Sequence, residues 1–166
     1  MAISIQALRS SSLAELERVY REAVPGPLPK GTFSGKVLHR IDSPFARSMS
    51  GSAVAWPFER LSFGVDFIAG AWFFLHPGLR LGHFRATSGP SRWRDTQTLQ
   101  LHYDLSRLPF REQLYDEVKP LSETLCLGLG GLNRQPEAEG DLFFFLLEAR
   151  ESPNAKSNAP RPRGKG

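Results

Sequence analysis

The stretch Gly89-Pro90-Ser91-Arg92-Trp93-Arg94-Asp95-Thr96 sets two guanidinium groups on either side of an indole, with a carboxylate next in line. Arginine beside tryptophan can hold a flat or anionic group by cation–π contact and bidentate hydrogen bonding. The same triplet also suits a purely architectural job, with Trp93 plugging a barrel end and Arg92 or Arg94 paired to a nearby acid. His83 and His102 each interrupt an apolar strand. A histidine lining a cavity orients a ligand or moves a proton near neutral pH, whereas one facing solvent does neither. Asp66 sits inside the apolar run Phe63-Gly64-Val65-Asp66-Phe67-Ile68. A carboxylate there is either exposed or paired, with Arg94 or Lys119 as available partners. Tyr103-Asp104 adds a hydroxyl, and Trp72 an indole within a short strand. Asp66, Trp72, His83, Trp93, Arg94, His102 and Tyr103 are therefore the candidate ligand-binding residues. Asp116, Glu117 and Lys119 read instead as the solvated face of a helix.

Other chemistries find little footing. The four histidines show no H-x-H or H-x-x-x-H spacing and Cys126 is the single thiol, so no metal site and no cofactor is expected. Nucleophile elbows, P-loops and H-E-x-x-H motifs are absent. Gly128-Leu129-Gly130-Gly131 lacks dinucleotide spacing. On a strand it puts Leu125, Leu127 and Leu129 on one face, and Cys126, Gly128 and Gly130 on the other. That nearly bare face invites close approach by a ligand or by a helix. Cys126 is expected to be a core residue.

The elements that must position these groups start with a helix over Leu13–Ala23. It opens on a Ser12–Glu15 capping box and carries Leu13, Leu16, Tyr20 and Ala23 on one face, with Glu17 and Arg21 able to pair outside. The Pro25–Pro29 segment ends it. A strand follows over Gly31–Ile41, then an ambiguous segment over Phe45–Trp56. From Phe58 to Tyr103, aromatic and aliphatic runs broken by Gly and Pro predict an antiparallel meander, with Leu79–Thr87 as one strand. In Thr96–Asp104, Leu99, Leu101 and Tyr103 share one face. Pro109–Val118 reads as a second helix from the stripe Phe110, Leu114, Val118. Strands over Thr124–Leu132 and Asp141–Ala149 close the domain, joined by a loop over Asn133–Gly140.

Charge is unevenly spread. The 166 residues carry 21 basic and 17 acidic side chains. Residues 151–166 hold Lys156, Arg161, Arg163 and Lys165 against Glu151, which leaves a body of 17 basic and 16 acidic residues. The basic character thus belongs to a Ser-, Pro- and Asn-rich tail read as disordered, and the folded body is not expected to bind nucleic acid. A single cysteine fits a reducing compartment. With no signal-like segment and no apolar run long enough to span a bilayer, the cytoplasm is the expected location.

The order of motifs from residue 31 resembles the GXWXG/DUF4334-type small bacterial proteins. It is carried by Gly31-Thr32-Phe33-Ser34-Gly35-Lys36, with Phe33 where that family has Trp, then by His102-Tyr103-Asp104, a helical Arg111 to Val118, Leu125-Cys126-Leu127-Gly128 and Phe143-Phe144-Phe145-Leu146-Leu147-Glu148. More distantly, a G-x-[FW]-x-G first strand before a meander is similar to the calycin barrels, the lipocalins and fatty-acid-binding proteins. The resemblance implies a barrel that binds an apolar small molecule.

The sequence thus predicts one mainly β domain over residues 1–150 with minor α. It would be a calycin-like antiparallel barrel or strongly curved sheet, with an N-terminal helix and another helix before the last two strands, followed by the tail over 151–166. Phe33, Trp72, Phe74, Leu99, Leu101 and Phe144 would line it around an apolar ligand. Two other readings remain open. One is an isomerase, cyclase or hydrolase-like enzyme using His83, His102, Tyr103, Asp66 and Arg94 in the same cavity. The other is an interaction module whose basic tail meets an acidic partner.

Overall fold

The computed structural model describes residues 4–41, 62–107, 111–112, 114–132 and 141–150. The expectations for Phe45–Trp56, for the Asn133–Gly140 loop and for the tail fall outside them.

Among the described residues, two short helices, α1 (Ile5–Ser10) and α2 (Leu13–Glu22), precede nine strands. These are β1 (Thr32–Ile41), β2 (Phe63–Asp66), β3 (Ala71–Phe74), β4 (Arg80–His83), β5 (Arg85–Pro90), β6 (Gln97–His102), β7 (Leu114–Ser122), β8 (Leu125–Leu132) and β9 (Asp141–Ala149). All pair antiparallel in the order β4-β3-β2-β1-β9-β8-β7-β6-β5. Among the described residues, every consecutive pair of strands except β4 and β5 is hydrogen-bonded, β9 returns to β1, and the unpaired seam lies between β4 and β5. Those two strands are joined through Phe84, whose N–H donates to the Gly70 carbonyl (2.8 Å). The sheet therefore curls into a nearly closed barrel, which removes most of the exposed edge an open sheet would carry. Among the described residues no helix is long and apolar enough to cross a membrane.

The capping box forms as the sequence implies. Ser12 Oγ accepts from the Glu15 N–H, and Glu15 Oε2 accepts from the Ser12 N–H (2.7 Å). That contact, strongest at the Ser12 backbone, lowers the Glu15 carboxyl below its ordinary value. α1 has no counterpart in the sequence reading. Its cap is Ser4, which accepts from the Ala7 N–H (3.1 Å).

Both helices cover one outer wall of the barrel. Leu8, Leu16 and Tyr20 bury against Leu125, Leu127, Leu129, Leu142, Phe144 and Leu146. The opposite faces of the same strands point inward, where Phe33, Phe63, Trp72, Leu101, Cys126, Phe145 and Leu147 form the interior core. β8 and β9 are thus buried on both sides, which is why Leu142–Leu147 reads as an unbroken apolar run. Phe144 belongs to the outer layer, its ring 5.8 Å from that of Tyr20, and so does not line the barrel. A register shift in β1 between Val37 and His39 has a similar effect. Val37 packs inward, while Leu38, His39 and Ile41 turn to the helix side, and His39 Nε2 lies 2.9 Å from the Ser11 carbonyl oxygen.

Among the described residues, glycines are set directly opposite phenylalanines in four places, and three of these pack most tightly: Gly35 with Phe63, Gly64 with Phe73, and Gly128 with Phe145. In each pair a Cβ on the glycine would fall inside the ring of its partner. The ring lies flat over the bare backbone and fills the volume the glycine leaves, a device that pins register in curved sheets.

Two expectations are corrected. Leu114–Val118 is not helical but opens β7, and the bare glycine face of β8 is covered by the Phe145 and Phe143 rings and the Asp116 carboxylate rather than by a helix. Leu114 and Val118 are four residues apart, a spacing that fits one helix face and one strand face equally well. Leu79–Thr87 is not one strand either. It breaks at Phe84, whose ring enters the core 6.1 Å from both Phe67 and Tyr103, and so feeds opposite edges of the sheet.

Candidate functional site

The alternation of β7 distributes its polar residues between two environments. Asp116 pairs with Leu101 and Gly130, both inward-facing, so its carboxylate enters the barrel. Glu117 and Lys119 point the other way, beneath α2. The solvated helix face read from the sequence is corrected accordingly, because these residues lie on a strand and both Glu117 and Lys119 are fully buried.

Inside, three side chains form a chain of directed hydrogen bonds. Trp72 Nε1 donates to the Tyr103 hydroxyl, and that hydroxyl donates to Asp116 Oδ2. The direction is fixed at its start, since an indole N–H can only donate. Tyr103 comes off the end of β6, Trp72 from β3, and Asp116 from β7, so the chain spans the interior. Burial is the main force on both titratable members. It pushes the Asp116 carboxyl up to about 7, against the opposing pull of the Tyr103 hydrogen bond and the Gly131 backbone amide. It also raises the Tyr103 hydroxyl well above its ordinary value, helped by the neighbouring Asp116 charge, which keeps that proton in place as a donor.

Val37, Leu114, Asp116 and Phe143 all face inward and yet are only half-buried, in contrast to Phe33, Leu101 and Phe145, which have lost all contact with water. A carboxyl group poised near neutrality therefore sits in a half-buried inward patch, its Oδ1 over Gly130 beside the Phe143 and Phe145 rings. Such an arrangement can accept a hydrogen bond from a ligand, or exchange a proton with it.

The sequence candidates part into an inner and an outer group. Trp72 and Tyr103 come together inside. Asp66 lies on the outer side, where its Oδ1 accepts from the Ile68 and Ala69 N–H groups and its Oδ2 takes Arg80 (2.7 Å). Arg80, rather than Arg94 or Lys119, is thus its cationic partner. His83 is exposed on β4. His102 occupies the outer face of β6, with Nε2 2.9 Å from Thr87 Oγ1.

Trp93 and Arg94 belong to a polar clamp between α2, β7 and the segment after β5. Arg94 holds Glu17 with two guanidinium nitrogens. Glu117 accepts from Tyr20 Oη (2.9 Å), Ser91 Oγ (2.6 Å) and the Arg92 N–H (2.6 Å). Lys119 Nζ donates to the Ala23 carbonyl (2.7 Å) and to Thr96 Oγ1 (2.6 Å). Burial lowers the Lys119 ammonium from its ordinary value, and the Glu117 charge works against that. Trp93 packs edge-on against Tyr115, with ring centroids 5.0 Å apart, and Arg92 stacks 4.0 Å above the same Tyr115 ring. Here the Arg-Trp-Arg triplet fastens the segment to the barrel wall. Burial pushes the Cys126 thiol up to about 12, which suits an inert core residue. Among the described residues, no three metal-ligating side chains are grouped to hold an ion.

Asp116 is the residue that sequence reasoning missed. The available signal was the alternation Leu114, Asp116, Val118 against Tyr115, Glu117, Lys119, a strand period in a stretch rich in aromatic and aliphatic residues.

No protein-family model matches the chain, and no curated protein matches its sequence. Among solved structures, the crystal structure of a protein from Thermomonospora curvata is similar in fold. The match covers 85% of this chain and 89% of that one, with a TM-score of 0.51 and 19% sequence identity.

Proposed function

We propose that the barrel binds an apolar small molecule, held by hydrogen bonding at Asp116 and by the aromatic walls around it. The observation that carries this reading is the half-buried state of Asp116, Leu114, Val37 and Phe143 on the inward face. Barrels of about eight strands either fill their interior with side chains or hold one small ligand. Here much of the interior is filled, so the ligand is small and occupies one end. Apolar walls with a few convergent polar groups are the common make-up of such sites.

Native mass spectrometry of the full chain, purified without detergent, tests the proposal together with titration by a polarity-sensitive naphthalene dye. A co-purifying mass or a saturable dye signal is expected. Absence of both would overturn it.

The elevated Asp116 carboxyl favours a second reading, an isomerase-like catalyst that moves a proton on the bound molecule. Its residues would be Asp116 and Tyr103 rather than the set read from the sequence. His102, Asp66 and Arg94 are engaged with Thr87, Arg80 and Glu17 on the outside of the barrel. Deuterium uptake next to the carbonyl of a bound apolar ketone in D2O, lost in Asp116→Asn, would support this reading; no uptake would dismiss it.

A further inference from the structure

We infer that the end of the barrel carrying the β3–β4 turn docks on an anionic lipid surface through exposed leucines. Among the described residues four of them stand there in water: Leu75 (64% exposed), Leu79 (46%), Leu81 (42%) and Leu105 (70%). Strand register places them together. β3 leaves the sheet beyond its Phe74–Phe63 pair, in the direction that β1 runs beyond Gly35. β6 leaves at His102, which connects through Tyr115, Gly131 and Leu142 to Ile41 at the end of β1. Across the seam, a Cβ on Gly82 of β4 would meet the Tyr103 ring at 3.5 Å. The turn that the Ser106 N–H closes on the Tyr103 carbonyl (2.8 Å), with Leu105 inside it, therefore lies beside β4. One exposed leucine is ordinary, but several around one end form the kind of patch that meets a partner or a membrane.

Leu75 carries the stronger signal. Among the described residues it is the one non-glycine with a positive φ (62°). The His76 N–H closes on the Phe74 carbonyl (2.6 Å), so Leu75 is the centre of a three-residue turn in its rare, strained hand. Glycine would relieve that strain, yet Gly78, the glycine of the same connection, takes no positive φ. The fold thus holds a leucine where its backbone is strained and its side chain meets water. Strain of this kind collects at functional positions.

The charges around the leucines select the partner. Arg80 is held by Asp66 (2.7 Å) and Arg85 by Asp104 (3.6 Å). Arg107 and Arg111 are exposed against the single acid Glu112, so the surroundings are net positive. A second copy would bring the arginines of both chains together in an interface short of acids. Lipid phosphates instead neutralise them while the leucines enter the boundary between head groups and acyl chains.

Flotation of the full chain with vesicles of phosphatidylcholine, alone or with about 30% phosphatidylglycerol, tests the docking. Wild type is expected to float with the anionic vesicles and to be released by salt. The double variant Leu75→Gly/Leu105→Ser is expected to partition at least about tenfold more weakly. The basic tail is common to both chains, so the difference reads the leucines. Leu75→Gly alone should melt no lower than wild type, because it relieves the strained turn, and this separates lost docking from lost fold. A lower melting temperature would make Leu75 a structural residue and remove it from the docking surface. No flotation of wild type on anionic vesicles, equal flotation on uncharged ones, or equal flotation of wild type and double variant would each overturn the inference. So would dimers in analytical ultracentrifugation that the double variant abolishes, without vesicle binding, since the patch would then belong to a second copy.

Discussion

Replacing Asp116 by Asn should change how stability depends on pH, and the sign follows from the structure. The carboxyl is pushed from 3.8 up to about 7 in the folded chain, chiefly by burial. Between about pH 4 and pH 7 the folded state keeps a proton that the unfolded state has released. Stability from this group is therefore full at acid pH, falls as pH rises through that window, and is flat above it. One proton changes stability by about 1.4 kcal/mol per pH unit, so three units give at most about 4 kcal/mol. Asp116 keeps some contact with water, which moderates the penalty, and we expect about 2–4 kcal/mol. For a domain of this size that is a difference of roughly 5–15 °C in Tm. Asn has the same shape and does not titrate. Urea or thermal melts of wild type and Asp116→Asn from pH 4 to pH 8 isolate the effect, since every other titrating group is common to both. The wild type should lose ground to the variant as pH rises. A gap constant to within about 0.5 kcal/mol would refute the placement of Asp116 in the barrel interior.

Three further outcomes bear on the fold. Gly128→Ala should cost about 2–3 kcal/mol in urea denaturation, because its Cβ would enter the Phe145 ring, itself held 5.6 Å from Trp72; a second change, Phe145→Leu, should recover part of the loss, and a neutral Gly128→Ala would refute the ring-over-glycine packing. Glu117→Ala should cost about 3–5 kcal/mol, since it strands the Tyr20 and Ser91 hydroxyls, the Arg92 amide and the Lys119 charge in a buried layer, with Glu117→Gln milder in the same melts. Arg94→Ala should cost about 1–3 kcal/mol, and a double-mutant cycle with Glu17→Ala should show coupling of about 1–2 kcal/mol.

Strand content and the inward face of β6 were readable because alternation is unambiguous where one face is wet: Leu99, Leu101 and Tyr103 turn inward while Gln100 and His102 do not. The capping box was readable because it is local. Legibility failed where a spacing fits two periods, as with Leu114 and Val118. It also failed where a strand is buried twice, since β9 carries no polar beat to separate Phe144 from Phe145. The bulge in β1 inverted His39 and Ile41 relative to Phe33, which no count of alternating positions can foresee. The pairing of Arg94 with Glu17 spans 77 positions and depends on tertiary placement alone.

The polar run Asp116-Glu117-Val118-Lys119 ties these points together. On a strand, a slip of one residue exchanges the two faces. In β7 that slip would drive the Glu117 and Lys119 charges into an aromatic barrel and leave Asp116 and Val118 beneath α2, against Tyr20 and Thr98. Neither environment could satisfy the exchanged groups. The Glu117 carboxylate needs its three donors, and Lys119 needs the Ala23 carbonyl at the end of α2. The outer clamp therefore fixes the register that delivers Asp116 to the interior. The position of the inner carboxylate is a consequence of hydrogen bonds made on the opposite side of the same strand.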